Sequence, residues 1–191
     1  QLSKSFPPGI KYTKVMSTKE RLDEATGQVK STLIEAFILV FIVVFIFLQD
    51  FRSTIIPAVA VPVAIIGTFF FLLVLGFTIN VLTLFALVLA IGIVVDDAIV
   101  MLENIYRRVE TGETPLVASY KGASQVSFAI ISTTVVLIAV FVPLIFIQGI
   151  VGKLFTELAL TLSFSIIVSA FVALTLSPML ASKYLKITHT K

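Results

Sequence analysis

AIGIVVDDAIVMLENIYRR, residues 90–108, sets two adjacent carboxylates, Asp96 and Asp97, inside an otherwise apolar run that becomes polar only at Glu103. Seven residues of helix separate Asp96 from Glu103, roughly 10 Å of rise, so neither aspartate sits at the end of the run. The run begins near Val81 and ends near Leu102. It is therefore long enough to cross the hydrocarbon layer, which takes about 20 apolar residues. An ionised carboxylate at such a depth costs about 2.5–3.5 kcal/mol by insertion measurements, and residues that stand this cost mark proton or ion paths far more often than idle positions.

Working outward, four further apolar runs have similar length: about 31–48, 55–77, 126–147 and 154–179. Of the 191 residues, 58% are hydrophobic and 13% charged, which fits a chain made to live in lipid. The fold class expected is an all-α membrane protein, a five-helix transmembrane bundle with a short extramembrane segment at its N-terminus. Residues 78–80 leave so little chain between the second and third spans that these two form an antiparallel hairpin. Pro57 and Pro62 lie inside the second span, with a kink expected near Pro62; membrane helices tolerate this when neighbours satisfy the freed backbone groups. Residues 103–125 read as a polar loop on one membrane face, with Thr114 and Pro115 as N-cap and first residue of a short surface helix. Residues 1–30 read as the end of a water-exposed domain, with Pro7, Pro8 and Gly9, a strand-like run from Ile10 to Met16, and a helix from Lys19 into the membrane. Residues 187–191 read as a polar tail. The opening looks cut from something longer.

The net charge of +3 does not point to nucleic acid, because the basic residues flank apolar runs and form no aromatic-studded groove. They set topology instead. Arg52, Arg107, Arg108, Lys121, Lys183, Lys186 and Lys191 share one side, and the short loops of the other offer only Lys153. The first side is thus expected to be cytoplasmic, with the N-terminal segment outside; basic residues of a long translocated domain do not count against this. The chain has no cysteine, which excludes disulfides, thiolate metal sites and a cysteine nucleophile. No enzyme chemistry, cofactor site or metal site is expected.

Adjacent helical residues point about 100° apart, so Asp96 and Asp97 face different neighbours. Asp97 shares its stripe with Thr83, Ala86, Ala90 and Asn104, small and polar residues fit for close helix approach, whereas Asp96 shares its side with Phe85, Leu89, Gly92 and Glu103. Asp97 is therefore expected in a helix contact and Asp96 at its edge, beside a water-filled cavity. No Lys or Arg lies between Arg52 and Arg107, between Lys121 and Lys153, or between Lys153 and Lys183, so any cation that neutralises the pair must come from helices outside this stretch. If that cation can leave, the pair must take up protons. The plainer alternative is that the two carboxylates pin helices together by hydrogen bonds. Glu35, near the start of the first span, reads as an interfacial side chain that reaches back to water. His189 reads as solvated.

Four stretches resemble, in family order, consecutive segments of the resistance-nodulation-division (RND) transporters, in particular their drug-exporting branch: EAFILVFIVVFIFLQDFRSTIIPAVAVPVAIIGTF (35–69), GFTINVLTLFALVLAIGIVVDDAIVMLENI (76–105), AVFVPLIFIQGIVG (139–152) and ALTLSPMLASKYLK (173–186). The resemblance covers about residues 8–186 and departs from the family pattern over 148–158. It implies the second to sixth of twelve transmembrane helices, preceded by the end of a periplasmic porter domain. It implies further that Asp96 and Asp97 translocate protons, that the missing cation is a lysine of the second half, and that the whole protein is a homotrimer of the bacterial inner membrane. That trimer would work with a periplasmic adaptor and an outer-membrane channel, exporting small-molecule drugs against a proton flow and so conferring antibiotic resistance, in contact with membrane lipid and with no nucleic acid. Two other readings compete. An intramembrane aspartyl protease needs aspartates facing each other from separate helices, and these are neighbours on one. A non-transporting module of sterol-sensing or scaffold type shares related architecture but has no need of the acids.

Overall fold

A computed structural model describes residues 18–77 and 80–185. The expected strand-like run from Ile10 to Met16, the turn residues Pro7, Pro8 and Gly9, and the tail 187–191 with His189 lie outside the described residues. Within them the chain forms five helices and no strand: α1 (Thr18–Leu48), α2 (Phe51–Val74), α3 (Val81–Glu110), α4 (Pro115–Phe141) and α5 (Gly149–Tyr184), with a 3-10 segment, Val142–Phe146, between the last two. The fold is a helical membrane bundle, as expected. Four stretches, Ser53–Val74, Val81–Glu110, Pro115–Phe146 and Gly149–Tyr184, are long and apolar enough to cross a membrane. The fifth expected span, 31–48, is the second half of α1, which starts at Thr18 and enters without a break.

Each helix end has a local cause. Asp50 caps α2, its carboxylate accepting from the Ser53 amide at 2.9 Å and the Ser53 hydroxyl at 2.6 Å. Asn80 caps α3 in a reciprocal box with Thr83. After α2 and after α3 the chain turns through a glycine of positive φ, Gly76 at 74° and Gly112 at 93°. In both places the amide after the glycine reaches back to the helix, Phe77 to the Leu72 carbonyl and Glu113 to the Arg108 carbonyl, which ties off carbonyls that would otherwise lack partners. Pro143, which has no N–H, falls where α4 tightens into the 3-10 segment. Pro57 and Pro62 lie within α2, and the helix continues through both.

The segment 103–125 differs from the loop and short surface helix that its polarity suggested. It is helical to Glu110, turns over residues 111–114, and is helical again from Pro115 in one piece to Phe141. Pro115 is indeed the first helical residue, but nothing breaks the helix after it. Gly122, the one weak former nearby, sits where α4 touches the α3 backbone: a Cβ there would lie 2.8 Å from Ile105 Cγ1 and 3.2 Å from Ile105 Cα.

Short turns make consecutive helices antiparallel neighbours, and two helices form the centre. α5 packs on α2, α3 and α4, and α3 packs on all four others. The core lies along these seams, with Val61, Ile91, Val94, Ala98, Val168 and Val172 at mid-height and Met101, Leu102, Ile105, Ala118, Ala173 and Ala181 nearer the α3–α4 turn.

Candidate functional site

α3 has one buried and one open face, and the two aspartates straddle the border. Thr83, Ala86 and Ala90, on the stripe of Asp97, are buried, while Phe85, Leu89, Gly92 and Glu103, on the side of Asp96, are exposed. The split follows from the helix period alone. Asp97 is half-buried against α5, where its carboxylate accepts a hydrogen bond from the Ser169 hydroxyl at 3.1 Å; the same hydroxyl lies 3.5 Å from the Val94 carbonyl. Ser169 itself is fully buried. Asp96, one position earlier, is exposed.

Both carboxylates border a groove of about 540 Å³ between α3 and α4. Ile93 and Val100 of α3 and Ala129, Ile130, Val136 and Leu137 of α4 make it mostly apolar, and Ser132 and Thr133 bring hydroxyls to the wall facing the aspartates. The Thr133 hydroxyl donates to its own helix, to the carbonyls of Ala129 and Ile130, so its lone pairs stay available. Among the described residues no basic side chain pairs with either aspartate; the ion pairs are Arg108 and Lys121 with Glu113, at the α3–α4 turn. An apolar groove with two carboxylates and hydroxyl acceptors can hold water or take an incoming cation, and it offers no set of ligands for a metal ion among the described residues.

The sequence pattern brought Asp96 and Asp97 to this place and separated their surroundings by face. It did not find their partners. Ser169 is one of several hydroxyls on α5, with Ser163 and Ser165 a turn or two away, and only the register of α5 on α3 selects it. Asn80 and Glu157 escaped in the same way. The Asn80 side chain, besides capping α3, donates to the Glu157 carboxylate and so locks the far end of α3 to α5. Glu35 is exposed and accepts from the Ser31 hydroxyl at 3.1 Å, which suits an interfacial side chain.

A family model described as the AcrB/AcrD/AcrF family matches residues 1–191. The chain belongs to that family of RND transporters.

Proposed function

We propose that this RND chain supplies the proton-relay helix of a transporter that exports drugs or other amphiphilic compounds, driven by the proton-motive force. One observation carries the proposal: Asp97 is held by Ser169 at the α3–α5 seam while it and Asp96 border an open groove that no basic side chain among the described residues lines. Such a pair is poised between two states. With a cation in the groove it stays ionised, and without one it takes up protons to offset the cost of bare charge in lipid. Alternation between these states couples proton passage to movement of the helix that fills the groove. A lysine of a further membrane helix has the reach and charge for that part.

The energy available is about 2.3 kcal/mol per proton for each 100 mV crossed, with the pH gradient in addition. Arg107, Arg108, Lys121 and Lys183 stand at one end of the bundle, and the charge rule makes that end cytoplasmic, with the N-terminal segment periplasmic and the bacterial inner membrane as the location. A homotrimer with a periplasmic adaptor and an outer-membrane channel completes the proposal and rests on family membership.

The test is dye efflux from cells carrying Asp96→Asn or Asp97→Asn at matched expression. Asn keeps size and hydrogen bonding and removes the titratable proton, so loss of efflux with normal assembly supports the relay. Retained efflux reduces the pair to structural pins and moves any proton coupling to other residues.

A further inference from the structure

At the α3–α4 turn lies a polar cleft of about 320 Å³, lined by Asn104, Arg107, Arg108, Thr111 and Gln125. Two guanidinium groups face it and no carboxylate does. Glu103 and Glu110, the nearest acids on α3, are exposed and do not line it. The remaining lining groups are already fixed in place. Asn104 Nδ2 donates to the Gly122 carbonyl at 2.9 Å and to Gln125 Oε1 at 3.3 Å, and the Thr111 hydroxyl donates to the Arg108 carbonyl at 2.8 Å.

The charges of the cleft are answered only in part from within the described residues. Arg108 donates through Nη1 to both oxygens of Glu113, at 3.2 and 3.3 Å, and Lys121 Nζ claims the same carboxylate at 3.0 Å. One negative charge thus serves two positive ones. Arg108 Nε is buried with no hydrogen-bond partner, and Arg107, exposed, makes no ion pair among the described residues. A buried guanidinium N–H without an acceptor is costly, and the planar fork of arginine matches the oxygens of a phosphate.

Depth narrows the source of such an anion. The 30 residues of α3 rise about 45 Å, the thickness of a bilayer with its headgroups included, so the last turns of α3 reach the layer of lipid phosphates. Basic pockets between membrane helices at that level suit anionic headgroups. We propose that the cleft of Asn104, Arg107, Arg108, Thr111 and Gln125 binds a phosphate oxyanion, presented as the headgroup of an anionic phospholipid that lies against the α3–α4 hairpin. The Arg107 guanidinium donates to its oxygens, Arg108 adds its charge to the same wall, and the bound lipid steadies the helix that carries Asp96 and Asp97.

The test uses the full-length protein in neutral detergent. Native mass spectrometry compares retention of dioleoyl phosphatidylglycerol with that of dioleoyl phosphatidylcholine, and radiolabelled inorganic phosphate is measured in parallel. Retention of phosphatidylglycerol about tenfold above phosphatidylcholine, lost in R107Q/R108Q, is the expected result. Phosphate binding that R107Q/R108Q removes, without a lipid preference, identifies the free ion as the occupant of the same cleft. Because Arg108 also holds Glu113, R107Q alone guards against misfolding: with an unchanged melting temperature it should lower retention severalfold. A lipid preference that survives the arginine substitutions, or no preference together with no phosphate binding, overturns the proposal.

Discussion

α4 and α5 are both long apolar helices, yet they sit in the bundle in opposite ways. α5 is wrapped by α2, α3 and α4, and its buried positions are mostly small: Ala159, Ser165, Ser169, Ala173, Ser177 and Ala181. α4 touches α3, α5 and the 3-10 segment, and it leaves Phe128 80%, Val135 60% and Val140 62% exposed. The difference teaches that hydropathy tells which helices cross a membrane, whereas the placement of small residues tells which ones meet other helices, since without a hydrophobic force between helices close packing must hold them together. The carboxylates lie where the two kinds of helix meet. α5 holds Asp97, and α4 forms the sparse wall of the groove beside it, so the pair sits at a border of α3 that the described helices leave open.

The sharpest way to break this contrast is to force apart a place where α4 does pack closely on α3. Gly122→Leu drives a side chain into the Ile105 backbone and should cost about 3 kcal/mol or more, read as loss of folded protein in detergent. Next comes a matched pair. Ala173→Leu, at a position on α5 with 1% exposure, should cost about 1–3 kcal/mol in denaturant unfolding, while Val135→Leu on the outer face of α4 should stay within about 0.5 kcal/mol. Equal effects would erase the distinction between the helices. Ser169→Ala removes the hydroxyl that holds Asp97 and should cost about 0.6 kcal/mol, the average for interhelical hydrogen bonds in membranes, and no more than about 1.7 kcal/mol, with a shift in the pH profile of efflux.

The smallest effect is outside the membrane. Glu113 is held below its ordinary value of 4.5, first by the hydrogen bond from Lys121 and then by the charges of Lys121 and Arg108, although its burial works the other way. A carboxyl whose folded value is depressed stabilises the fold above its unfolded value and loses that contribution as pH falls through the folded one. The α3–α4 turn should therefore loosen below about pH 4.5, and Glu113→Gln should remove that dependence. Hydrogen exchange of the Gly112 and Glu113 amides measures it, and the same pH response in the Gln variant would count against the ion pairs.

Much of this contrast is legible in the sequence, and the losses have clear causes. The runs of apolar residues locate the spans, and the 3.6-residue period sends Asp97 inward and Asp96 outward without further information. Thr114–Pro115 marks the start of α4 correctly. Polarity misleads over 103–125, because Asn104, Arg107, Lys121 and Gln125 satisfy one another or face water while the backbone stays helical. No periodicity could select Ser169 from its neighbours or pair Asn80 with Glu157, since these contacts depend on how far α5 slides along α3. That register is a property of packing between distant segments, fixed by small residues acting together.

Proton coupling is tested most directly by substrate-linked proton flux in proteoliposomes of the full-length protein, with a fixed pH gradient and with Asp96→Asn and Asp97→Asn as comparisons. We expect flux that rises with substrate in the unaltered protein and falls to the leak of empty liposomes in either variant. Substrate-linked flux that persists in both variants would contradict a relay through these two carboxylates.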